Sequence, residues 1–254
     1  MSGPLLHIQD LHKSYGHKHV LRGVNLDVAP GQSLVIIGGS GTGKSVTLRC
    51  ALGLERADRG EIAFDGLDLV ANPDQSEALR CRTGMLCQGG ALFDSLPIWE
   101  NVAFRLIHAN HISRRDAKDI AIETLAKVKL PASVAEQFPS ELSGGMQKRA
   151  ALARAIAAKP DMVFFDEPTT GLDPITAAAI NDLIVEQVKG IGAASIAITH
   201  DMASARVIAD EIAMIFEGRI VWRGPAADID TTDDPMIRQF VDGKSDGPIQ
   251  TNPN

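Results

Sequence analysis

The residues with the clearest chemical purpose are Gly38-Gly39-Ser40-Gly41-Thr42-Gly43-Lys44-Ser45, directly after the apolar run Leu34-Val35-Ile36-Ile37. This Gly-x4-Gly-Lys-Ser spacing suits a phosphate group. The glycines let backbone N–H groups wrap the anion, and the helix that follows presents the positive end of its dipole. In such a loop Lys44 meets the β- and γ-phosphates and the Ser45 hydroxyl ligates Mg²⁺. A second apolar run, Asp161-Met162-Val163-Phe164-Phe165, ends in Asp166-Glu167. Open α/β sheets gather ligands at the carboxyl ends of their strands, so both acids are expected at the same phosphate crevice. Asp166 is placed there to hold Mg²⁺, and Glu167 to polarise an attacking water, a role worth roughly 10²–10⁴ in rate.

A second glycine segment, Leu142-Ser143-Gly144-Gly145-Met146-Gln147, opens a run that reads as helix. Its small residues free the backbone amides, and Ser143 can cap the helix or donate to an oxyanion. An ordinary glycine-containing N-cap has the same pattern. Only the first loop carries a lysine, which suggests one nucleotide held by two different surfaces. Gln88 follows the short strand Met85-Leu86-Cys87, and His200 follows Ile196-Ala197-Ile198-Thr199. Each is a polar side chain at a strand end, where it can face a γ-phosphate. Tyr15, the only tyrosine, lies in a polar loop and offers a ring to stack on adenine.

These side chains need a framework, and the rest of the chain supplies one. With 44% hydrophobic and 22% charged residues, the 254-residue chain has the composition of a globular protein with a buried core. The net charge of −7 argues against broad, nonspecific nucleic-acid binding, which relies on basic residues. Three cysteines (Cys50, Cys81 and Cys87) fit no CxxC spacing and point to a reduced, cytosolic setting. No signal-peptide pattern occurs in Met1–Asp10, and no apolar run approaches the roughly 20 residues of a spanning helix. Any link to a membrane is therefore expected to come through a partner.

Residues 5–28 read as β structure around a Gly16-His17-Lys18 turn, and residues 61–69 as further strand and turn. A helix-rich stretch spans residues 100–158, after which strand and helix alternate: helix 174–189, strand 195–199, helix 202–210, strand 211–216. Alternation of this kind implies an α/β fold with a parallel core sheet covered by helices. The N-terminal β structure makes an antiparallel subdomain, and the middle an inserted helical lobe, about residues 89–158 of a single domain spanning 5–241. Residues 242–254, rich in Gly, Pro, Asp and Asn, read as a mobile tail.

In this order, the residues resemble the ATP-binding cassette (ABC) ATPases, the nucleotide-binding subunits of ABC transporters, within the P-loop NTPase class. Tyr15 matches the adenine-stacking A-loop, and Gly38–Ser45 with Val46 the Walker A loop. Gln88 matches the Q-loop, which reaches Mg²⁺, and Leu142–Met146 the signature loop. Met162–Asp166 with Glu167 resembles Walker B and its catalytic base. Gly171-Leu172-Asp173 corresponds to the D-loop and His200 to the switch histidine.

The resemblance implies ATP and Mg²⁺, hydrolysis carried by Glu167, His200 and Lys44, and a head-to-tail homodimer with two ATPs sandwiched between subunits. One protomer's Walker A loop then faces Ser143, Gly144 and Gly145 of the other, and Asp173 also reaches the nucleotide interface. Met146 departs from the glutamine found in most of the family.

The strings Gln88–Leu96, Met146, Arg238–Gly243 and Asp246-Gly247-Pro248 are similar to the ATPases of MCE-type phospholipid transporters, including the maintenance-of-lipid-asymmetry system. That similarity implies an integral membrane permease, an MCE-type lipid-binding subunit, and a phospholipid held by those partners at the cytoplasmic face of an inner membrane. It implies no role for nucleic acid. Cassettes for other solutes are the nearest alternative. Soluble cassettes of translation or DNA maintenance carry two cassettes or a long coiled coil, and neither pattern is present here. Lys44, Glu167 and His200 together speak against a module that has lost hydrolysis.

Overall fold

A computed structural model of the chain describes residues 3–72 and 76–250. Strands β1 (Leu6–Tyr15) and β2 (Lys18–Val28) form the expected hairpin. With β4 (Arg59–Phe64) and β5 (Leu67–Asp68) they build an antiparallel sheet in the order β2-β1-β4-β5. Between them run β3 (Ser33–Ile37) and α1 (Lys44–Ala51), joined by the glycine loop.

The chain continues through α2 (Ser76–Arg80) and β6 (Thr83–Leu86) into the helical lobe. That lobe comprises α3 (Ile98–His108), α4 (Arg114–Lys127) and α5 (Gly144–Ile156). The core then resumes with β7 (Met162–Asp166), α6 (Pro174–Ile191), β8 (Ala194–Thr199), α7 (Met202–Ile208) and β9 (Glu211–Phe216). It ends with β10 (Arg219–Pro225) and α8 (Pro235–Asp242). The core sheet has the order β10-β9-β3-β8-β7-β6. Every pairing in it is parallel except that of β10, an antiparallel edge strand the sequence reading did not contain.

Successive strand residues point to opposite faces, so a sheet covered on both sides is apolar at every position. Val35, Ile37, Val163, Phe165, Ala197, Ile212 and Met214 enter one core, which the helical lobe covers. Leu34, Ile36, Met162, Phe164, Ile196, Ile198, Ala213 and Ile215 enter the other, shared with α1 and the antiparallel sheet. Polar caps set where the helices start. Asp173 accepts from the N–H groups of Ile175 and Thr176 and is followed by Pro174 at the first helical position of α6. Asp201 caps α7, and Asp234 caps α8 in the same way.

The stretch after α8 is held rather than loose as far as Gln250. Gln239 donates to the carbonyl of Ile249 at 2.9 Å and accepts from its N–H at 2.7 Å. Composition alone reads this stretch as a mobile tail because it does not reveal a partner side chain on the preceding helix. The end of that expected tail, residues 251–254, lies outside the described residues.

Candidate functional site

The phosphate-type loop takes its shape from close packing. A Cβ on Gly38 would sit 2.4 Å from the carbonyl oxygen of Ile215, and one on Gly43, at φ +111°, 2.7 Å from Leu21 Cδ2. Only glycine fits either place. Lys44 folds back into the loop, where its buried ammonium donates to the carbonyls of Gly38 at 2.7 Å and Gly39 at 2.8 Å. Burial pulls its pKa down, and the charges of Glu167 and Asp166 partly offset that pull. The loop therefore already has an inward-facing cation, and two carbonyls hold it in place.

A cavity of about 320 Å³ opens above this loop, lined by Tyr15, Lys18, Gly43, Lys44, Ser45 and Arg49 among others. Tyr15 is 45% exposed, and its hydroxyl donates to Glu55. A flat aromatic face beside a phosphate-type loop suits a nucleobase. Ser45 lines the same cavity, as does Val46.

The acids stand one strand away. Asp166 ends β7, and burial, with Glu167 next to it, raises its pKa. Glu167 takes a left-handed conformation (φ +49°), which turns its side chain toward the end of β8. Its Oε1 lies 2.9 Å from Nδ1 of His200, and its Oε2 accepts from Thr170 at 3.1 Å and Thr199 at 3.3 Å. The Glu167 side chain is largely covered and the His200 ring is largely open. A held carboxylate beside an exposed imidazole can take a proton from water on one side and contact an anion on the other.

No group of three or more His, Cys, Asp or Glu side chains suited to a metal occurs among the described residues. Mg²⁺ takes oxygen donors and usually needs only one or two carboxylates together with substrate phosphates. Asp166, the Ser45 hydroxyl and the exposed Gln88 after β6 provide such donors.

The second glycine segment is elsewhere. Ser143 caps α5 by accepting from the N–H of Met146, and both Ser143 and Gly144 are exposed. Gly144 and Gly145 face Leu172 and Thr176, and neither lines the cavity over the phosphate-type loop. Within one chain, the structure brings together the loop, Asp166, Glu167 and His200 but leaves Ser143–Gly145 with open N–H groups at a helix start. Asp173, the cap of α6, is exposed on that side of Leu172.

Some participants escaped the sequence reading. Lys148 and Arg154 of α5 reach back to the segment after β6. Lys148 donates to the carbonyl of Gln88, and Arg154 to those of Gly90 at 2.8 Å and Ala91 at 2.6 Å. Their signal was available: Lys148 and Arg154 lie six apart, with Arg149 between them, in an Ala-rich, largely buried helix. Glu55, partner of the Tyr15 hydroxyl, carried no such signal.

The family described as "ABC transporter" matches residues 21–170. The Escherichia coli (strain K12) protein named intermembrane phospholipid transport system ATP-binding protein MlaF is 37% identical over 246 residues, covering 96% of this chain and 91% of that protein. A Mycobacterium leprae protein named probable ribonucleotide transport ATP-binding protein mkl is 38% identical over 248 residues, covering 97% of this chain and 71% of that one. Among solved structures, a dimeric ATP-binding cassette in a post-hydrolysis state, bound to ADP and Pi, superimposes with a TM-score of 0.79. It is 29% identical and covers 87% of this chain and 98% of its own.

Proposed function

The chain belongs to the ABC transporter family, and from that premise we propose that it hydrolyses ATP with the residues assembled around its phosphate-type loop, to drive phospholipid transport. The observation that carries the hydrolytic reading is the contact of Glu167 with His200 at 2.9 Å, at the carboxyl ends of β7 and β8, with β8 next to the strand that leads into that loop. Tyr15 stacks on the base. The N–H groups of the Gly38–Ser45 loop and the Lys44 ammonium hold the phosphates, Lys44 exchanging its carbonyls for phosphate oxygens. Ser45, Asp166 and Gln88 would hold Mg²⁺, which neutralises charge developing on the phosphate oxygens. Glu167 orients the attacking water and accepts its proton, while His200 donates to the γ-phosphate.

Ser143–Gly145, outside the cavity over the chain's own loop, then act on the nucleotide of a second copy. Two protomers arranged head to tail would close on two ATPs; the similar cassette bound to ADP and Pi is itself dimeric. The helical lobe would pass this closure through Gln88 to a membrane-embedded partner. No helix of the described residues is long and apolar enough to cross a membrane itself.

Phospholipid as cargo is supported by the name of the Escherichia coli relative and by the similar strings at Gln88–Leu96 and Met146. It implies a permease and an MCE-type lipid-binding subunit at the cytoplasmic face of an inner membrane. The Mycobacterium leprae relative's name favours a second reading, a different solute. Purification of the chain from native membranes, with identification of co-purifying subunits and lipids, separates the two. A lipid-binding partner is the expected result, and a soluble solute receptor would overturn the cargo assignment.

A further inference from the structure

We propose that the Ser204 hydroxyl is a positioning residue for the Glu167–His200 pair, joining α6, α7 and the turn after β7 into one frame. The proposal rests on the hydrolytic reading of that pair given above. Ser204 is fully buried on α7. Its Oγ lies 2.5 Å from Asp201 Oδ2, 2.9 Å from Asn181 Nδ2 and 3.0 Å from Thr169 Oγ1.

The chemistry of the partners fixes the direction of every bond. The Asp201 carboxylate only accepts, so the single Ser204 proton goes there. Thr169 and Asn181 must then both donate to Ser204, which uses the oxygen's two lone pairs. Asn181 commits its amide N–H to this hub even though its own Oδ1 has no protein partner among the described residues.

Each partner leads to the site. Thr169 is two residues beyond Glu167 in the turn after β7, and its neighbour Thr170 donates to Glu167 Oε2. Asp201 follows His200 and caps α7, and its N–H donates to Thr199 Oγ1, which in turn donates to Glu167 Oε2. Asn181 lies on α6, the helix that begins at Asp173. The ring of bonds Glu167–Thr199–Asp201–Ser204–Thr169 thus closes back on the turn that carries Glu167. Besides the bond from the Glu167 N–H to the Ile198 carbonyl at 3.0 Å, the hub gives the two loops a tie through buried side chains of α6 and α7. A small misplacement of such a pair slows turnover without weakening nucleotide contacts made by Tyr15 and the Gly38–Ser45 loop on other elements.

The test compares ATP hydrolysis by the full-length chain, with its co-purifying subunits, as wild type and as Ser204→Ala, Thr169→Val and Thr169→Ser. Ser204→Ala and Thr169→Val should each lower kcat about tenfold, while the ATP concentration at half-maximal rate stays within about twofold of wild type. Thr169→Ser keeps the donor and should restore the rate. An unchanged kcat in Ser204→Ala and Thr169→Val overturns the proposal, as does Thr169→Ser being as slow as Thr169→Val. A loss that only tracks the folded fraction, measured by circular dichroism, overturns it as well. Glu167→Gln separates the two levels. If it abolishes hydrolysis while Ser204→Ala and Thr169→Val match wild type, only the hub fails; if it hydrolyses like wild type, both readings fall.

Discussion

Glu167 and His200 are 33 positions apart in the chain, yet Oε1 of one lies 2.9 Å from Nδ1 of the other. They meet because β7 and β8 are adjacent and parallel, with Asp166 opposite Ile198. The residues just past each strand end are therefore neighbours. Replacing the carboxylate by its amide keeps this shape and removes the base. Glu167→Gln should retain ATP binding, lose roughly 10²–10⁴ in turnover and accumulate closed dimers. Unchanged hydrolysis would remove Glu167 from its assigned role; radiolabelled ATP hydrolysis and size-exclusion chromatography provide the readouts.

Lys44 is a buried cation whose hydrogen-bond partners are two carbonyls of its own loop. Lys44→Ala should lose nucleotide binding and activity together, because the loop then presents no charge to the β- and γ-phosphates. Equilibrium dialysis with ATP checks this. Retained affinity with lost turnover would instead make Lys44 a residue of the transition state alone.

Gly84 lies on β6 against α5, and a Cβ there would approach the carbonyl oxygen of Ala155 to 2.1 Å. Backbone cannot yield as a side-chain tip can, so Gly84→Ala should push α5 off the sheet and cost about 1–3 kcal/mol. Chemical denaturation measures it. A variant as stable as wild type would show that the strand and helix separate freely.

Asp201 gives a pH-dependent prediction. Burial would raise its pKa, but hydrogen bonds from Ser204 and from the N–H groups of Ala203 and Ser204 outweigh it and leave the value below the ordinary one. A carboxylate depressed in the folded state stabilises above its unfolded pKa, near 3.9, and loses that contribution as pH falls through the folded value. Asp201→Ala should therefore cost about 1 kcal/mol at neutral pH, as lost helix caps do. The Tm difference from wild type should shrink as pH drops below about 4. A difference that stays constant or widens in acid would contradict the assignment.

The core strands were legible because burial on both faces makes them apolar at every position, as in Val163-Phe164-Phe165. β10 was not, since Arg219–Pro225 has one covered face, an alternating pattern, and Gly224-Pro225 at its end. The phosphate-type loop is contiguous and was readable as written. The pairing of Glu167 with His200 depends on which strands are neighbours, and the hold of Lys148 on the Gln88 carbonyl depends on how a helix packs. Neither relation is local in sequence. The inclusion of Tyr15 in the same cavity as Ser45 likewise needed the turn between β1 and β2 to be set beside α1.

Gln239 closing on Ile249 also bears on how this protein can be handled at the bench. Gln250 lines the same groove as Ser40 and Thr42 of the phosphate-type loop. A truncation before Ile249 strips the Gln239 amide of both of its bonds to that residue. Rates measured on such a truncation should be compared with those of the full chain before they are assigned to the native protein.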